Sequence, residues 1–209
     1  MRPSRNPIMN KKLIKASSAL TLFVLMASVV ASNAPAFAIN GHGISYGPQY
    51  GAGPYKTYND GLKINGETFD ISKYDTTIKT QNLYVNDQSD ITLKIFLNTN
   101  AKDVQHVIVF LNLQGNDPQV YQTNTHIDWD KNFGVSKSDP TGIFKSVTTT
   151  VKYDGQLMYL TFHLIPVQTM NTSHMIIRSW DHSLSSGQVV VKNAIKIGYI
   201  PKDFASVSP

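Results

Sequence analysis

Cysteine is missing from all 209 residues. That excludes disulfides, thiolate nucleophiles, cysteine-bearing zinc centres and blue-copper sites of the His₂Cys kind. Glutamate is nearly missing: after residue 38 the chain has Glu67 alone, so a hydrolytic carboxylate pair would have to rest on aspartates, and no spacing selects two. Alanine is scarce as well. Past residue 38 four Ala stand against 16 Thr, 16 Ile and 13 Val, a composition short of helix formers and rich in strand formers. Long apolar runs are lacking except for Ala16 to Ala31, which Ser17, Ser18, Thr21 and Ser28 interrupt. It falls short of the roughly 20 residues that a membrane-spanning helix needs.

What precedes and follows that run gives it a different meaning. Arg2, Arg5, Lys11, Lys12 and Lys15 come before it with no acidic residue, and Ala36-Phe37-Ala38 comes after it. This is the order of a secretory signal: basic region, apolar region, small-x-small cleavage site. Residues 1–38 are therefore expected to be removed after Ala38. The signal holds five of the 19 Lys plus Arg and none of the 14 Asp plus Glu, so the remainder balances at 14 against 14. The basic character of the whole chain belongs to the signal, and nothing supports nucleic-acid or acidic-membrane binding. No later apolar run reaches spanning length, so the cleaved product has no membrane span.

Alternation of apolar residues then sets the architecture. Ile91, Leu93, Ile95 and Leu97 share one face of an extended run; Val107, Val109, Leu111 and Leu113 share one face of the next, with Ile108 and Phe110 opposite, as expected of a central strand. Asn65-Gly66 predicts a type I′ hairpin turn, and Asp154-Gly155 a second hairpin joining Phe144–Tyr153 to the run ending at Ile165. About nine strands are expected over residues 61–209, arranged as an antiparallel two-sheet β-sandwich, Ig-like or jelly-roll-like. Residues 39–60 carry five Gly, four Tyr and two Pro with little to bury, and read as a flexible leader.

The segment His106-Val-Ile-Val-Phe-Leu-Asn-Leu-Gln-Gly115, with Asp117, Tyr121-Gln122, Thr125-His-Ile-Asp-Trp-Asp-Lys131 and Ile176-Ile-Arg-Ser-Trp-Asp181, resembles exported β-sandwich proteins of ammonia-oxidising archaea. The resemblance covers roughly Ile91 to Ile200. It implies a surface or extracytoplasmic home in a copper-dependent metabolism, and it carries over no functional residue.

Local chemistry offers four candidates. Asp128, Asp130 and Asn132 stand at alternate positions, with Ser136 and Asp139 further on, in the manner of an oxygen-ligand calcium loop. The glycine, Gly134, stands one place later than in such loops, and Asp139 is shorter than the usual Glu. Met170, His174 and Met175 are the densest soft-ligand cluster and make copper the alternative cofactor, although neighbouring strand positions face opposite ways. Gly43-Ile44-Ser45-Tyr46-Gly47 has the nucleophile-elbow spacing without the strand and helix it requires. Asn171-Thr172-Ser173 is the one glycosylation sequon and, if glycosylated, predicts an exposed loop. These residues support a non-catalytic extracytoplasmic binding or structural module, or an accessory subunit of a cell-surface assembly, whose partner is another surface protein or a glycan. The alternatives are copper handling through His and Met, or a hydrolase whose site only the fold assembles.

Overall fold

The computed structural model describes residues 46–51 and 60–201. The signal and its cleavage site, residues 1–38, lie outside the described residues, as do Gly43, Ile44 and Ser45. Strands dominate what is described, broken by two single 3₁₀ turns at Ala101–Asp103 and Val120–Gln122. Six strands form the first sheet: β1 (Gln49–Tyr50), β2 (Leu62–Ile64), β3 (Glu67–Phe69), β6 (Ser89–Phe96), β10 (Phe144–Asp154) and β11 (Leu157–Pro166). Seven form the second: β4 (Asp75–Thr77), β5 (Gln81–Tyr84), β7 (Val104–Leu113), β8 (His126–Asp130), β9 (Gly134–Ser138), β12 (Met170–Asp181) and β13 (Ser186–Gly198).

The order in the first sheet is β10-β11-β6-β2-β3, with β1 also on β6; in the second it is β4-β13-β12-β7-β8-β9, with β5 also on β13. The two-sheet sandwich is thus present. Its pairings are antiparallel except that β4 and β5 run parallel to β13. The strands beyond the expected nine, such as β1, β4 and β5, are two to four residues long and too short to show a period in sequence.

Alternating side chains from both sheets meet in one core. Ile91, Leu93 and Ile95 of β6 and Leu160 and Phe162 of β11 face Val107, Val109 and Leu111 of β7 and Met175 and Ile177 of β12, all of them buried. β7 is interior, between β12 and β8, as its two apolar faces required. Leu113 departs from the expected face. Asn112 adopts a left-handed φ of 57°, and the pairing of β12 with β7 slips there. Leu113 is thereby turned to the outer face, where it joins Ile176, Val190, Phe110 and Val120 in a second small cluster.

The turns follow their chemistry. Asn65 (φ 47°) and Gly66 (φ 97°) both take positive φ, as the type I′ turn between β2 and β3 demands. In the second hairpin Asp154 is the last strand residue, and the loop is Gly155-Gln156 with φ 58° at Gly155.

Of residues 39–60, read above as a flexible leader, 39–45 and 52–59 lie outside the described residues. Residues 46–51 are docked on the sandwich: β1 pairs with β6, and Tyr50 is buried with its hydroxyl 2.9 Å from Ser179 Oγ of β12. That bond joins the two sheets across the core. A Cβ on Gly187 would sit 1.9 Å from the Pro48 carbonyl oxygen, and one on Gly47 2.4 Å from that of Ser186. Tyr50 supplies the burial that a Gly-rich segment otherwise lacks. Gly51 N–H bonds the Lys94 carbonyl, and the Gly61 carbonyl accepts from Lys94 N–H.

Candidate functional site

The predicted acidic loop is a hairpin. Three residues, 131–133, join β8 to β9, and Gly134 takes the left-handed position (φ 78°) of a bulged turn. Asp128 and Asp130 share the outer face of β8 while Ile127 and Trp129 are buried, and Ser136 returns opposite Asp128. Asp130 Oδ1 accepts the backbone N–H groups of Asn132 (2.6 Å) and Phe133 (2.9 Å), so Asn132 serves the turn through its backbone. Asp139 is not part of this group. It lies past the far end of β9, about 10 Å along the strand from Asp128 at the usual rise per residue. Its carboxylate accepts from Phe144 N–H (2.7 Å) and lies 3.6 Å from Lys137 Nζ, anchoring the turn into β10.

The residue that does join the two aspartates is His106 on β7, which gave no sign of it in sequence. Its Nε2 lies 3.0 Å from Asp130 Oδ2 and its Nδ1 4.0 Å from Asp128 Oδ1, with the Trp180 ring 5.7 Å away. The environments of the two carboxyls differ. Burial pushes Asp128 above the ordinary carboxylate range, Asp130 adds to this, and the neighbouring His106 and His126 oppose it. Its Oδ1 is buried with no hydrogen-bond partner. For Asp130 desolvation also pushes upward, but the N–H groups of Phe133 and Asn132, with His106, outweigh it and leave the carboxyl lowered. Among the described residues no three His, Cys, Asp or Glu side chains are gathered to hold a metal.

The soft-ligand cluster is split by the fold. Met170 and Met175 are buried in the core, whereas His174 turns outward with both ring nitrogens engaged. Its Nε2–H donates to the Gly115 carbonyl (2.6 Å) and its Nδ1 accepts the Asn193 N–H (2.9 Å), the pattern of a neutral Nε2–H imidazole. Beside it Ser173 Oγ accepts Leu113 N–H (3.0 Å) and donates to the His174 carbonyl (2.6 Å). His174 ties β12 to β13 and to the segment just past β7, and both its nitrogens are engaged.

His174 also lines an open cleft of ≈ 440 Å³. Gln114, Gly115 and Asn116, just past β7, make one wall. Asn171 and Thr172 at the start of β12 line another side, and Asn193 and Lys196 of β13 complete the lining. Regular pairing fails here on both sides of β12. The β12–β13 register shifts between Met170 and Ser173 and again between Ser173 and Met175; the β12–β7 register shifts between His174 and Ile176. Asn112 and Asn193 take left-handed φ values of 57° and 56° at the two seams. Such bulges re-aim side chains, and left-handed non-glycine residues recur where structure serves function. The sequon thus lies on a bulge, with Asn171 exposed and Ser173 buried.

On the outer face of the first sheet, His163 joins three strands. Nδ1 lies 2.7 Å from Asp90 Oδ1, and Nε2 lies 2.5 Å from Thr150 Oγ1. Carboxylate, imidazole and hydroxyl stand in the order that activates a nucleophile, at positions 90, 163 and 150 that no local motif connects.

No protein-family model matches the chain, and no curated protein matches it closely enough to indicate relationship.

Proposed function

We propose that the protein is an extracytoplasmic binding module, free or as an accessory subunit of a cell-surface assembly, and that it binds through the cleft over His174. The single observation that carries this reading is the convergence of three register breaks and two left-handed asparagines around one polar concavity. Hydrogen bonds of the buried Ser173 and His174 tie β12 to the end of β7 and the segment just past it beside this concavity. The signal sequence and the resemblance to exported sandwiches support the compartment. The partner is a surface glycan or another surface protein. Purified protein should adhere to the cell-envelope fraction of its native host, and Asn116→Ala with Lys196→Ala should weaken adhesion at least tenfold. Equal adhesion of that variant would remove the cleft from the account.

The Asp90–His163–Thr150 chain favours a second reading, the fold-assembled hydrolase. In that reading Thr150 Oγ1 attacks the acyl carbon of an activated ester while His163 takes the hydroxyl proton, the ester C–O bond breaks to release the nitrophenolate, and water then hydrolyses the acyl-threonine. Turnover of a nitrophenyl ester that is lost in both Thr150→Val and His163→Ala would establish it. Equal rates in wild type and variants would leave the chain a cross-strand bond network.

A further inference from the structure

Building on the cleft as the binding site, we propose that its ligand is an acidic saccharide, a hydroxyl-rich ring carrying one carboxylate. The cleft's lining includes Gln114, Asn116, Asn171 and Asn193, whose side chains are amides, and Thr172, which carries a hydroxyl. An amide presents a donor and an acceptor side by side, and so does each sugar hydroxyl, so vicinal hydroxyls are matched by such a lining. Lys196 is the one charged side chain in it, and no carboxylate is present. A bound cation would have no anionic ligand, and His174 has committed both nitrogens. An extended peptide is disfavoured because β7, β12 and β13 are all interior strands, with no open edge for it to pair along. A simple inorganic anion would fill a small part of ≈ 440 Å³ and leave the amides unmatched. One negative group on Lys196 and hydroxyls on the amides use the whole lining.

Calorimetry on the purified protein tests this with three probes: a glucuronate oligosaccharide, a neutral glucose oligosaccharide of equal length, and sodium sulfate. The uronate should bind at least tenfold more tightly than the neutral sugar, and Lys196→Gln should erase that difference while leaving the melting temperature unchanged. Asn116→Ala should weaken both sugars. Equal binding of both sugars, unaltered by Lys196→Gln, would overturn the acidic class. Sulfate competing as well as the uronate, with no binding of the neutral sugar, would reduce the site to an anion contact and overturn the saccharide. No binding of either sugar would overturn it also, and envelope adhesion that still depends on Asn116 and Lys196 would then show that the cleft reading survives without it. Native protein carrying a covalent glycan on Asn171, seen as excess mass, would place a tethered sugar at the rim and overturn a free ligand.

Discussion

Two aspartates two positions apart on one strand are held in opposite senses. The folded state raises the Asp128 carboxyl, so its ionised form opposes folding above the ordinary carboxylate range, and the cost vanishes when the group is protonated in both states. Asp128→Asn is therefore expected to unfold at higher denaturant than wild type at pH 7, with the gap closing in acid. The lowered Asp130 works the other way: its contribution is present above the usual carboxylate value and lost as pH falls through its lowered folded value. Asp130→Ala should lose stability at pH 7, with less loss in acid. Urea titrations across that range check both, and an Asp128→Asn protein less stable than wild type at neutral pH would contradict the assignment. Tyr50 makes a third residue-scale case. Burial holds its hydroxyl far above the usual phenol range, against the lowering effect of its bond to Ser179. Tyr50→Phe would leave Ser179 Oγ without that bond in the core, at a cost of about 1–3 kcal/mol in urea unfolding.

Among elements, the long interior strands supply much of the buried core and the short segments carry the surprises. Leu111 is fully buried on β7, so Leu111→Ala should cost about 2–5 kcal/mol. Gly187→Ala would drive a methyl into the Pro48 carbonyl and should release β1, read as faster amide exchange over residues 46–51 with the rest of the sandwich protected. At the cleft seam Asn193 sits at φ 56°, so Asn193→Gly should be tolerated while Asn193→Val loses at least about 1 kcal/mol. The long strands were legible because a period of two in Ile91–Leu97 and Val107–Leu111 leaves one reading. β1 was not, because Gln49-Tyr50 is too short for a period and its anchor, Ser179, lies 129 residues away. The flip of Leu113 was hidden for a similar reason: Asn112 is an ordinary strand residue until its φ is known.

For the whole molecule, the same limit applied to the sites. Asp128 and Asp130 could be placed on one face from spacing alone, but His106 reaches them only through strand pairing, and Asp139 is carried away by the straightness of β9. The cleft had no signature at all. Its lining comes from three separate stretches, marked in sequence only for other reasons: Gln114-Gly115 within a resemblance, the sequon Asn171-Thr172-Ser173, and His174 as a soft ligand. Compartment is a matter for the intact chain: protein recovered from its native host should have a mass beginning at Ile39, and a mass retaining residues 16–31 would indicate an anchored form. The central claim is that binding occurs over His174. Amide resonances recorded before and after addition of envelope polysaccharide from the host test it most directly. The account predicts shifts confined to Gly115, Asn116, Thr172, Asn193 and Lys196; shifts centred instead on Asp128–Asn132 or on Thr150 and His163, or no shift anywhere, would contradict it.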